Sequence, residues 1–494
     1  MRASGILMPI FSLPSKYGIG TFGKEAYRFI DFLKKSGQTY WQILPLGITG
    51  FGNSPYQSVS SYAGNPYFID LEMLFEYGLA DLSEIESLEW GKTGDCVDYE
   101  LIKENKVIIL KSAFERFKNQ KITEYDEFKK ENSYWLEDFS LYTALKEKFG
   151  GIPLGEWDEK YLKRDENTLD IARKTLQNEI EYYNFVQYLF SKQWKKLKDY
   201  ANKNGIYIVG DIPIYVALDS ADVWSDKEQF LLDDNYTPKA VAGCPPDAFS
   251  KDGQLWGNPL YDWQYMKKDG YSWWIKRIDY CTKLYDVVRI DHFRAFSAYY
   301  SIPYGDKTAV NGKWIKGPGR KLFDTIEEKL GKLNIIAEDL GTIDDDVRKL
   351  LKYTRFPGMK VLQFAFDVDS ESSYLPHNIT DRNCVVYTGT HDNDTALGYM
   401  LTSSVDEVEF VKEYLRIGEN DSFNWSLIKS AMATPADTVI LQIQDFLGLD
   451  NSARINTPGT TVGNWKWRIE SGCINDWLAK IIYDTTKIYS RLPK

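Results

Sequence analysis

Eight short apolar runs, most of them separated by stretches of helical periodicity, constrain this chain more than any other feature. They lie at Gly5–Ile10, Tyr40–Leu46, Ile206–Gly210, Val287–Ile290, Asn334–Ala337, Lys360–Phe364, Cys384–Tyr387 and Thr438–Ile443. Near-continuous Val, Ile and Leu character marks strands covered on both faces, as in a parallel sheet. Eight such runs with intervening helices predict a (β/α)8 barrel, a TIM barrel, rather than a doubly wound sheet. The 494 residues exceed what the barrel alone needs. The surplus is concentrated in two segments. About 75–180 reads as a helical insertion: Trp135, Phe139, Tyr142, Leu145 and Phe149 share one helical face, and Tyr183, Val186, Phe190, Trp194 and Leu197 share another. Asn204-Gly205 stops the second helix just before a strand. About 212–280 is a second insertion, richer in Pro, Gly, Trp and Tyr. The organisation expected over 1–494 is one barrel carrying both.

Acidic side chains gather where these runs end. Asp211, Asp291, Glu338 with Asp339, and His391 with Asp392 lie at or just past the C-terminal ends of strands, the rim on which barrel enzymes carry their chemistry. A single acid after a strand commonly caps a helix; four successive ends carrying acids are harder to explain that way. In Asp286-Val-Val-Arg-Ile-Asp-His-Phe-Arg294, the strand period of two points Arg289 and Asp291 to the same side. A guanidinium there is expected to lower the Asp291 pKa and keep it ionised, as a nucleophile requires, although a plain buried ion pair reads equally well. Asn334-Ile-Ile-Ala-Glu-Asp-Leu-Gly341 brings Glu338 to the next strand. Repulsion between neighbouring carboxylates raises one pKa, which suits an acid facing an ionised nucleophile in a retaining glycosidase. Asp339 should face the other way and cap a helix. Thr388-Gly-Thr-His-Asp-Asn-Asp394 adds Asp392, with His391 beside it.

A metal-dependent barrel hydrolase is the rival reading of acids and histidines at strand ends. The chain has three histidines, His292, His377 and His391, with no His-x-His or His-x-x-x-His spacing, so no metal site is expected. The balance of 60 Lys+Arg against 71 Asp+Glu argues against nucleic acid as a partner. Five scattered cysteines form no CxxC pair, and no run approaches a membrane span, so the expected setting is a reducing cytoplasm without membrane attachment. Gly91-Lys-Thr93 imitates the end of a phosphate loop, but residue 86 is Glu and no strand leads into it.

The three acidic segments resemble the catalytic strands of the α-amylase clan. Asn53-Ser-Pro-Tyr-Gln57, Gly210-Asp-Ile-Pro-Ile-Tyr-Val216, Pro245-Pro-Asp247, Trp256-Gly-Asn-Pro-Leu-Tyr261 and Arg454-Ile-Asn-Thr-Pro-Gly-Thr460, leading into Asn464-Trp-Lys-Trp-Arg468, narrow the likeness to glycoside hydrolase family 77, the 4-α-glucanotransferases. The resemblance runs from Gly5 to Arg468; Cys244 departs from the aliphatic residue more usual there. It implies Asp291 as nucleophile, Glu338 as acid/base and Asp392 as stabiliser of the reacting glucose. Arg289, His391, His292, Asp211, Tyr56, Gln254, Trp256 and Asn464 are implied as substrate-binding residues, with Gln254 and Trp256 on a loop closing over the acceptor. Trp256 as a packing residue is the alternative. No bound cofactor is implied, and the partners expected are α-1,4-glucan oligosaccharides and glucose. Three functions remain open: transfer between glucans, amylase-like hydrolysis, and a non-catalytic glucan-binding barrel. Oligomeric state is not legible in the chain.

Overall fold

The computed structural model describes residues 2–91, 94–246, 250–367 and 372–494. Lys92, Thr93 and Asp247 of the motifs above lie outside them. In chain order the strands are β1 (Ala3–Leu7), β2 (Tyr40–Gln42), β3 (Tyr207–Ile212), β4 (Ala240–Cys244), β5 (Gln254–Pro259), β6 (Val287–Ile290), β7 (Ala298–Pro303), β8 (Lys313–Lys316), β9 (Ile335–Ala337), β10 (Gly358–Val361), β11 (Cys384–Tyr387) and β12 (Thr438–Gln442). Eight of them form one parallel sheet in the order β10-β11-β12-β1-β2-β3-β6-β9. Its two outer strands meet: the Ala337 N–H donates to the Pro357 carbonyl at 3.0 Å, and the Met359 N–H donates to the Asp339 carboxylate at 2.6 Å. The sheet thereby closes into the expected (β/α)8 barrel.

The strand period of two divides the apolar residues between two faces. Leu7, Val209, Ile336, Met359, Val361, Val385, Tyr387 and Ile440 pack together as an inner cluster. Their neighbours Ile6, Trp41, Ile208, Val288, Val386, Val439 and Leu441 belong to the larger cluster shared with the surrounding helices. All eight anticipated runs are barrel strands. Two match residue for residue, and the others differ by a few positions, as at β2, which is shorter than its apolar run.

Between β2 and β3 the chain is helical, dominated by Tyr99–Phe117, Thr123–Lys148 and Gln177–Lys203. The predicted apolar faces are largely the packed ones: Trp135, Phe139, Tyr142 and Leu145 are buried on one helix, and Val186, Phe190, Trp194 and Leu197 on the other, while Phe149, just past its helix, and Tyr183 are half-buried. Gly205, at φ 77°, adopts the left-handed turn that ends the last helix before β3. A second sheet, antiparallel in the order β5-β4-β7-β8, takes strands from both sides of β6. Gln254 and Trp256 therefore lie on β5, paired with β4, rather than on the expected loop. The Gly, Asn and Pro content of that segment concealed a strand. Among the described residues, no helix is long and apolar enough to cross a membrane.

Candidate active site

Asp211 is the penultimate residue of β3, and Arg289 lies beside it on β6, opposite in register. The Arg289 Nη1 donates to both Asp211 oxygens, at 2.7 and 2.6 Å, and to Asp291 Oδ1 at 2.9 Å. Arg289 Nε reaches Met359 Sδ at 3.4 Å across the barrel interior. The Tyr56 hydroxyl donates to Asp211 Oδ2 at 2.9 Å. A buried guanidinium and a fully buried carboxylate thus form the floor, and Asp291 stands above them with 28% of its side chain exposed. Arg289 and Asp291 do point the same way, as the strand period requires.

The expected lowering of the Asp291 pKa does not follow. Burial pushes it well above the ordinary carboxylate range; Arg289 pulls down, while Asp211, Glu338 and Asp392 push further up. The reason is geometric: one guanidinium serves two carboxylates, and the closer contacts go to Asp211. Glu338, which follows β9, is also raised, first by burial, against the pull of Arg289 and of two backbone amides. Those amides belong to His292, donating to Oε2 at 2.7 Å, and Leu340, donating to Oε1 at 2.6 Å. His292 takes the left-handed conformation, φ 52°, immediately after Asp291. That turn aims its N–H at Glu338 and so links the two acidic segments. Two carboxyls raised together hold one proton between them more readily than two isolated acids would. Asp339 does not cap a helix. Its carboxylate accepts the Met359 N–H across the barrel seam, and the following helix, Asp345–Thr354, is capped by Asp344.

Asp392 enters from the loop after β11. Asn456 Nδ2 donates to its Oδ1 at 2.6 Å, His391 Nε2 lies 3.4 Å from the same oxygen, and Arg454 donates to its backbone carbonyl at 2.7 Å while pairing with Asp394. The His391 ring stacks on Tyr56, with centroids 5.1 Å apart and 15° between planes. Burial lowers the pKa of both His391 and His292, the latter to about 3, so both are neutral imidazoles at pH 7. His391 Nδ1 and His292 Nε2 are buried and have no hydrogen-bond partner among the described residues. Trp256 meets the His292 ring edge to face at 4.8 Å, and its indole N–H donates to Gln254 Oε1 at 3.0 Å.

A cavity of about 290 Å³ opens over these groups, with Asp291, Asp392, His391, Tyr56, Gln254 and Trp256 in its wall. Asn464 also faces it, but its amide is engaged in bracing the loop: it accepts the Thr457 N–H and donates to the Thr460 carbonyl, both at 3.0 Å. In the sequence, Arg454 and Asn456 stand out only as part of the family segment Arg454–Thr460, with no role legible for either. Their hold on Asp392 spans more than sixty positions, with only their residue types as a signal. Among the described residues, no group of three or more His, Cys, Asp or Glu could hold a metal ion.

The family model described as 4-alpha-glucanotransferase, glycoside hydrolase family 77, matches residues 8–474. A curated 4-alpha-glucanotransferase from Clostridium butyricum is 50% identical over 486 residues, covering 98% of this chain and all of that one. One from Streptococcus pneumoniae is 46% identical, covering 99% of this chain and 98% of its own. Among solved structures, an amylomaltase from Streptococcus agalactiae in complex with acarbose superposes with a TM-score of 0.98 at 42% identity, over the full length of both chains. With the barrel, the rim acids and these full-length likenesses together, the chain belongs to the 4-alpha-glucanotransferases of glycoside hydrolase family 77.

Proposed function

We propose that this enzyme transfers a segment of an α-1,4-glucan to the 4-hydroxyl of another glucan, or of glucose, by retaining double displacement. Asp291 and Asp392 in the wall of one cleft, with Glu338 near enough to press electrostatically on Asp291 and to feel Asp392, carry this reading. Asp291 attacks the anomeric carbon while Glu338, protonated at the outset, gives its proton to the departing glycosidic oxygen. For that transfer the Glu338 carboxyl turns from the His292 and Leu340 amides toward the cleft. In the second half-reaction Glu338 takes the proton of the incoming hydroxyl, and the acceptor displaces Asp291. Asp392, held by Asn456, binds hydroxyls of the reacting glucose and strengthens its hold as positive charge develops. The orphaned nitrogens of His292 and His391 supply further partners for sugar hydroxyls. Arg289, Asp211 and Tyr56 hold the nucleophile in place, and Gln254, Trp256 and Asn464 line the path of the glucan.

The acarbose bound to the Streptococcus agalactiae relative supports an α-glucan-like ligand. We read the chain as one catalytic barrel with a helical insertion at about 75–180 and a substrate-binding insertion at about 212–280. No disulfide joins the cysteines among the described residues, and we read the setting as a reducing cytoplasm. Maltotriose should yield glucose together with a ladder of longer maltodextrins. Only glucose and maltose, with nothing longer than the substrate, would establish the amylase-like hydrolase instead.

A further inference from the structure

The proposed mechanism uses none of the aromatic groove that lies behind the helix Ala396–Thr402. That helix begins shortly after Asp392, and its Leu397 and Met400 line the groove. The groove encloses about 830 Å³, and its wall includes Trp425, Phe446 and Trp477 together with Lys412, Glu419 and Asp421. It shares no residue with the cavity over Asp291.

Trp477 is the anomaly. Ten of the fifteen tryptophans are buried. Trp314, the next most exposed at 38%, is covered by the Arg294 guanidinium 3.6 Å from its ring centre. Trp477 is 72% exposed, on the first turn of the helix Asp476–Ile488. A large aromatic left in water forgoes the stabilisation its burial would give, and such exposure commonly marks a binding surface. Trp425 is half-buried and rests edge to face on Phe446, with centroids 5.6 Å apart. Neither the Trp425 nor the Trp477 indole N–H has a hydrogen-bond partner among the described residues, although most buried tryptophans here have one. The groove thus offers two flat apolar faces with free N–H donors at their edges and a rim of charged side chains. An α-glucan has the matching chemistry: C–H faces that pack on aromatic rings, and hydroxyls that pair with indole N–H and carboxylate groups.

We propose that the groove at Trp425 and Trp477 is a second α-glucan-binding site, separate from the catalytic cleft, that retains long glucan chains on the enzyme. The proposal rests on the α-glucan reading of the cleft. The ligand is a polymer long enough to occupy both places; a trisaccharide bound in the cleft gains nothing from it. Removing one stacking face should weaken polymer binding about tenfold, in line with the loss of one aromatic contact.

The test compares wild type, Trp477→Ala and Trp425→Phe, each full length, in two assays. Affinity electrophoresis through gels containing soluble amylopectin reads polymer binding, in an Asp291→Asn background so that turnover does not alter the gel. Maltotriose disproportionation, with Asp291 intact, reads the cleft. We expect retardation by amylopectin to fall about tenfold in Trp477→Ala and less in Trp425→Phe, with maltotriose kcat/KM unchanged in both. Equal retardation of Trp477→Ala and wild type overturns the proposal. So does a parallel loss of maltotriose activity, which would make Trp477 a structural residue. A wild-type dimer in sedimentation velocity that Trp477→Ala dissolves, without a change in retardation, assigns the face to a second copy of the chain. Failure of wild type to disproportionate maltotriose counts against the proposed reaction and leaves the retardation comparison to be read separately.

Discussion

Replacing Lys106 by methionine should stabilise the protein, and by an amount that depends on pH. Lys106 lies on the helix Tyr99–Phe117, is 1% exposed, and its ammonium has no hydrogen-bond partner among the described residues. Asp70 supplies a distant attraction, but its carboxylate is already held by Thr21 Oγ1 at 2.6 Å and the Met73 N–H at 3.0 Å. Burial therefore dominates and lowers the Lys106 pKa from 10.5 to about 7. Each pH unit of such a displacement is worth about 1.4 kcal/mol, which sets a ceiling of about 5 kcal/mol on the cost of this side chain at pH 6. Local relaxation and water entry reduce it, and about 2–4 kcal/mol is the gain expected from Lys106→Met. The sign follows from linkage. Below pH 7 both folded and unfolded states carry the proton and the cost is complete. Between pH 7 and 10.5 the folded state releases a proton that the unfolded chain keeps, and the cost shrinks, to a ceiling of about 3 kcal/mol at pH 8 and about 1 kcal/mol at pH 9.5. Urea midpoints followed by tryptophan fluorescence at pH 6, 8 and 9.5 measure the difference. A destabilised Lys106→Met protein, or a gain equal at all three values, would refute the reasoning.

Four other substitutions and one treatment probe the site. Glu338→Gln should abolish transfer from maltodextrins yet largely spare attack on glucosyl fluoride, which needs no proton at departure; mass spectrometry should then find a glucosyl unit on Asp291, whereas Asp291→Asn should react with neither donor. Arg289→Lys should lower kcat/KM by about 10²-fold or more, because a flexible ammonium stem lacks the planar guanidinium that sets Nη1 between Asp211 and Asp291 while Nε rests on Met359; activity within a few-fold of wild type would show that the double contact is dispensable. Asp211→Asn removes a charge that raises the Asp291 pKa and leaves Arg289 to Asp291 alone, so the acid limb of the kcat/KM profile should move to lower pH. An unmoved or raised acid limb contradicts that assignment. Exhaustive chelation should leave maltotriose activity intact; a loss restored by Ca²⁺ or Zn²⁺ would mean that the acids around Asp291 and Asp392 have been misread.

The barrel was legible because a strand buried on both faces writes its own signature, as Val287–Ile290 and Cys384–Tyr387 do to the residue. The second sheet was not. β4 and β5 carry Gly, Asn and Pro, and β7 follows so closely on β6 that no helical stretch announces it. Asp291 and Arg289 are legible as side-chain neighbours because Asp291 directly follows the strand that carries Arg289, so spacing still determines direction. The direction of the Asp291 pKa was misjudged for a reason local sequence cannot supply. Asp211 is 78 positions from Arg289, yet it makes the closer contacts with that arginine. Asp339 was misassigned to a helix cap because its acceptor role depends on where the sheet closes, a property of the whole barrel.

The shared arginine has a consequence for the timing of the proposed cycle. While Asp291 is free and ionised for attack, as that cycle requires, Arg289 faces two negative charges with one positive. When Asp291 becomes an ester its charge disappears, and Arg289 and Asp211 remain as a matched pair, already within 2.6 Å. Electrostatically, the glycosylated enzyme is the balanced state and the empty enzyme the crowded one. A loaded enzyme can then wait for a scarce sugar acceptor, and its lifetime, rather than the speed of bond cleavage, determines whether a glucan or a water molecule completes the turnover.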